Sequence, residues 1–63
     1  MNNKYEIIYI HDENNVEVIG EFSGNVALTV DQALELCNID MEEYAEAQGW
    51  DGYDWNSLQI RMK

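Results

Sequence analysis

The sequence predicts a single small α+β domain of order ββααβ: a three-stranded antiparallel sheet with two short helices packed on one face. Three observations lead there. Residues 4–22 hold two strand-like runs around a turn cluster, residues 29–48 change to helical spacing behind two cap signals, and residues 57–62 return to alternation. At 63 residues the chain is near the lower size limit for a core without disulfide or metal staples, so one domain, 1–63, is all it can hold.

The first run, KYEIIYIH (4–11), is rich in β-branched and aromatic residues. The second, VEVIGEF (16–22), alternates, with Val16, Val18, Gly20 and Phe22 on one side and Glu17, Ile19 and Glu21 on the other. Between them DENN (12–15) supplies a hairpin turn, because Asn and Asp tolerate left-handed backbone angles. An even-numbered loop sets Tyr5, Ile7 and Tyr9 on the same face as Val16, Val18 and Phe22, and this face is the expected core. The opposite face then holds Glu6, Ile8, Ile10, Glu17, Ile19 and Glu21.

After the loop SGNVAL the spacing becomes helical. Thr29 and Gln32 fit a capping box, with Val30, Ala33, Leu34 and Cys37 along one stripe and Asp31, Gln32 and Glu35 pointing away. Asp40 and Glu43 repeat the box, Ile39 can staple onto Tyr44, and Met41, Tyr44, Ala45 and Gln48 form the expected buried edge. Gly49 ends this second helix, and Trp50 follows where an apolar residue commonly folds back on the core. Asp51-Gly52 makes a turn, and SLQIRM (57–62) alternates as a third strand with Leu58, Ile60 and Met62 on one side. That strand can pair beside either hairpin strand; pairing with 4–11 would set Arg61 near Glu6.

With 46% hydrophobic residues and seven aromatic rings, the chain is too apolar for a disordered acidic tail. Its formal net charge is −10, from thirteen acids against three bases, and the bases Lys4, Arg61 and Lys63 all lie at the ends. No lysine or arginine occurs from Tyr5 to Ile60, the interval that holds every acid. Such a chain repels nucleic acid and anionic membranes, so its natural complement is a basic protein surface. The lone Cys37 has no internal disulfide partner, which suits a reducing compartment. MNNKYEII lacks the basic-then-apolar pattern of a signal peptide, and no run approaches the roughly 20 apolar residues of a membrane helix. The expected location is cytoplasmic.

Catalytic and metal chemistry find little support. His11 is the only histidine, at the hairpin turn, and Cys37 falls on a buried helical stripe, so neither has a visible catalytic companion. The carboxylates are too numerous for any pair to be diagnostic. The spacing of Asp51, Asp54 and Asn56 does not fit a calcium loop, and neither a zinc ligand set nor a phosphate-binding glycine loop is present. The expectation is a non-enzymatic protein without cofactor or metal.

What stands out is an acidic surface with aromatic anchors. Asp31, Glu35, Asp40, Glu42, Glu43, Glu46, Asp51 and Asp54 crowd into residues 31–54, with no cation among them. Glu42, Glu43 and Glu46 cover the solvent side of the second helix at neighbouring positions. Carboxylates so spaced present charge at intervals comparable to the phosphates of a nucleic-acid strand, and a groove lined with arginine and lysine for DNA would accept them. The expected contacts are Glu35, Glu42, Glu43, Glu46, Asp51 and Asp54, with Tyr53 and Trp55 as anchors unless those rings cap the sheet. An alternative is a structural or regulatory module that dimerises or docks through an apolar Ile8/Ile10/Ile19 patch on the outer sheet face.

In size, acidity and compact α+β character the chain resembles phage-encoded anti-defence proteins, among them anti-CRISPR and antirestriction DNA mimics. The likeness is one of overall character and carries over no residue. It implies a protein of the host-cell cytoplasm that fills the DNA- or PAM-binding site of a nuclease. The same charge would also suit a small acidic partner of a basic toxin, a transcription-apparatus subunit or a ribosomal protein.

Overall fold

The computed structural model describes residues 3–25 and 28–63, so the middle of the SGNVAL segment lies outside it. Strands β1 (Asn3–Asp12) and β2 (Asn15–Gly24) form a hairpin; helices α1 (Val30–Leu36) and α2 (Met41–Ala47) follow; a 3-10 turn (Trp55–Ser57) then leads into β3 (Leu58–Met62). The sheet order is β2-β1-β3, antiparallel throughout, which is the expected α+β fold. The last strand takes the β1 side, and Glu6 lies opposite Arg61. One core joins Tyr5, Ile7, Tyr9, Phe22 and Leu58 of the sheet to Ala33, Leu34 and Met41 of the two helices. Among the described residues no helix lies over the opposite sheet face.

The hairpin departs from simple alternation. Ile7 pairs with Gly20 and Ile8 pairs with Val18, so Ile19 is an extra residue, the mark of a β-bulge. A one-residue insertion flips every side chain beyond it to the other face. Tyr5 and Phe22 share the core face as expected and stand opposite each other, their rings stacked at 5.3 Å. Beyond the bulge Val18 and Val16 turn outward, 44% and 40% exposed, and are not core. Ile19 instead packs against the core, and Glu17 comes to the helical side opposite Tyr9. The outward apolar patch is therefore not Ile8/Ile10/Ile19 but Ile8, Ile10, Val16 and Val18. Ile8, in the central strand, is itself almost fully buried by its neighbours.

Close packing requires a glycine next to the bulge. A Cβ on Gly20 would stand 2.8 Å from Ile39 Cδ1, so the glycine lets the α1–α2 junction press onto the sheet. The turn itself uses no left-handed residue, contrary to expectation. Asp12 Oδ1 accepts the Asn14 N–H at 2.8 Å, and among the described non-glycine residues only Asn38 has positive φ.

The two helices are one device used twice at an offset of eleven residues. Each has an N-cap (Thr29, Asp40), seven helical residues, a left-handed residue (Asn38 at φ 58°, Gly49 at φ 77°) and an apolar residue that returns to the core (Ile39, Trp50). Both end in a Schellman motif: Ile39 N–H donates to Leu34 O and Trp50 N–H to Ala45 O, each at 2.9 Å. Thr29 and Gln32 form the full capping box. Asp40 does not complete its box, since it accepts from Glu42 N–H at 3.0 Å rather than from Glu43. Gln48, expected at the buried edge of α2, is its exposed C-cap.

Candidate functional site

The three cations lie on one face. Alternation along β1 and β3 puts Lys4, Arg61 and Lys63 on the outer sheet face, where Arg61 pairs with Glu6 and Lys63 Nζ meets Glu21 Oε1 at 2.7 Å. Glu6 is buried, its side chain only 9% exposed, whereas that of Arg61 is half in solvent. Lys63 holds the Glu21 carboxyl below the usual carboxylate range by hydrogen bond and charge, and Glu21 raises the Lys63 ammonium in return. With Glu6 and Glu21 so placed, the other eleven of the thirteen acids stand apart from every lysine and arginine.

Five of those eleven surround one concavity. Where α1, the α1–α2 junction and the start of α2 meet the Tyr53–Trp55 segment, they enclose an open groove of about 790 Å³. Asp31, Glu35, Asp40, Glu42 and Glu43 line it. Its apolar part comes from Leu34, Ile39 and Met41, and Tyr53 and Trp55 complete the wall. Trp55 is 46% exposed, which leaves much of its ring open to a ligand, while Tyr53 packs partly against the core. An adjoining hollow of about 340 Å³ shares Glu42 and Tyr53 and adds Glu46, Trp50 and Asp51.

Local chemistry explains the placement. The α1 Schellman turn redirects the chain within Cys37–Asp40, so the last turn of α1 and the first turn of α2 both reach the wall of the groove. Asp31 and Glu35, four apart, share a helix face, and carboxylates in the first turn of α2 are favoured by its dipole. Asp40 caps Glu42 N–H, and both Glu42 and Glu43 line the groove.

Of the contacts expected from sequence, Glu35, Glu42, Glu43, Tyr53 and Trp55 converge on the groove, and Glu46 and Asp51 on the hollow beside it. Asp54 joins neither. It caps the 3-10 turn, accepting Asn56 N–H at 2.9 Å, while its own N–H donates to the Tyr9 hydroxyl at 2.7 Å. Asp31 and Asp40, not among the expected contacts, also line the groove; their signals in the sequence are the i,i+4 relation to Glu35 and the N-cap position.

A second polar cluster joins the hairpin to α2. Glu17 accepts from the Tyr44 hydroxyl and lies 3.3 Å from His11 Nε2. The His11 ring meets Trp50 edge-on at 4.9 Å, and Tyr9 and Tyr44 also flank Trp50. Burial and the Glu17 carboxylate push the Tyr44 phenol up to about 12. His11 lines neither the groove nor the hollow, and its contacts are those of a packed side chain. The Cys37 thiol, partly buried at the α1 C-cap, donates to Glu21 O at 3.4 Å.

Among the described residues no group of three or more His, Cys, Asp or Glu side chains converges as a metal site, and no helix is long and apolar enough to cross a membrane. The chain matches no protein-family model, no curated protein and no solved structure.

Proposed function

We propose that this chain is a non-enzymatic binding protein that seats its acidic groove on the basic, nucleic-acid-binding surface of a partner protein and so excludes DNA from it. One observation supports this above the others: five uncompensated carboxylates stand around a groove whose wall includes a half-exposed tryptophan. Surface acids serving only solubility need neither a shared concavity nor a ring beside them. Charge complementarity speeds encounter and sets register, while a large aromatic side chain supplies the desolvated contact that charge alone does not. An arginine of the partner can pair with a carboxylate and stack on the ring at once. The resemblance in size and acidity to anti-CRISPR and antirestriction proteins makes a nuclease effector the partner class proposed here.

The test is retention on the immobilised chain followed by elution with duplex DNA. Nucleic-acid-binding proteins should be held at low salt and released both by salt and by DNA, and the Glu42→Lys/Glu43→Lys/Glu46→Lys variant should not hold them. Retention that DNA cannot displace, or that survives the triple reversal, overturns the proposal.

A further inference from the structure

We propose that the uncovered sheet face is a homodimer interface, on which a second copy of this chain packs face to face in antiparallel alignment. Val16 and Val18, 40% and 44% exposed, form its apolar centre together with the half-buried Ile10, while Ile8 between the strands is almost fully buried. Charge identifies the occupant. Copies carrying −10 each repel one another on most approaches. The outer sheet face comes nearest to balance, because all three cations lie there: Arg61 and Lys63 offset Glu6 and Glu21, and Lys4 is left to face the acids at the hairpin tip.

The same face is polar along its length. The cations lie at the open end of the hairpin, and Asp12 and Glu13 lie at its tip. A twofold axis running across the strands sets the cationic end of each copy over the acidic tip of the other. The parallel alternative sets like charges together. A ten-residue, two-stranded ribbon with five further residues of β3 covers on the order of 400 Å² per copy at ordinary strand spacing. Two such faces fall among the small, weak interfaces, so the dimer forms in a concentration-dependent way. This surface is opposite the acidic groove and does not depend on the function proposed for it.

Sedimentation equilibrium of the full chain from ~10 µM to ~1 mM tests the inference, a range that spans weak association. The mean mass should rise from 7.3 kDa toward twice that value. Val16→Asp/Val18→Asp, changes at exposed positions, should hold the chain at monomer mass. Lys4→Glu should weaken association about tenfold, and adding Glu13→Lys should restore it. Monomer mass throughout for the unaltered chain, or undiminished association in the double valine variant, overturns the proposal. Failure of Glu13→Lys to restore the Lys4→Glu variant overturns the antiparallel alignment.

Discussion

Arg61→Ala removes the partner of a carboxylate that the fold has already taken out of water. Glu6 is 7% exposed, beside the almost fully buried Ile8 on the central strand. Losing one member of a fully buried pair costs about 3–5 kcal/mol, whereas exposed pairs contribute about 0–1. Here the carboxylate is buried, the guanidinium is half solvated, and the Lys63 charge lies close enough to feel Glu6. An intermediate loss of about 2 kcal/mol follows. That is a large fraction of the roughly 3–9 kcal/mol available to a chain of this length. In a domain of this size it lowers the melting temperature by about 8–16 °C. Thermal melts by circular dichroism measure it. Glu6→Gln in the Arg61→Ala background removes the stranded charge and should recover much of the loss. A drop below about 2 °C for Arg61→Ala, or a double variant no more stable than the single, would show that the Glu6 carboxylate does not depend on its guanidinium partner.

Gly20→Val should destabilise the fold by about 1–3 kcal/mol in urea titrations, since its branch carbons meet Ile39, Ile7 and Cys37 at a packed junction; an unchanged midpoint would show that Ile39 moves aside freely. Tyr44→Phe should lower stability at neutral pH by removing the hydroxyl that donates to Glu17. The folded state holds the Tyr44 phenol near 12 against an ordinary 10.0. The neutral form is thus favoured on folding, and this contribution is complete below pH 10 and lost as pH climbs toward 12. The difference between Tyr44→Phe and the unaltered chain should accordingly shrink across that interval, and a constant difference would exclude the link.

Most of the fold was legible because its signals are local. Thr29 with Gln32 and Asn38 or Gly49 before an apolar residue mark helix ends that depend on a few adjacent residues. What escaped was the bulge. Val16, Val18, Gly20 and Phe22 alternate without a break, and the extra residue at Ile19 shows only in the register with which β2 pairs to β1. Every face assignment before it in β2 was consequently inverted, including Glu17 and the apolar patch. The acidic site was legible as a set and not as a geometry. Glu35, Glu42 and Glu43 follow from helical spacing, but the groove between them depends on the left-handed turn at Asn38 and on where Trp55 returns. Asp54 stands outside the groove as the cap of the 3-10 turn, because an aspartate beside a tryptophan reads equally as a contact or as a cap.

The central claim is that position, and not net charge, makes the acidic groove a binding surface. It is tested most directly by two variants with the same change in charge, Glu35→Gln/Glu43→Gln in the groove and Asp12→Asn/Glu13→Gln at the hairpin tip. Their affinities for a DNA-displaceable partner are to be compared by calorimetry at one ionic strength. The groove pair should bind at least about tenfold more weakly, while the tip pair stays within about threefold of the unaltered chain. Equal losses in the two would contradict the account and reduce the surface to an undirected field.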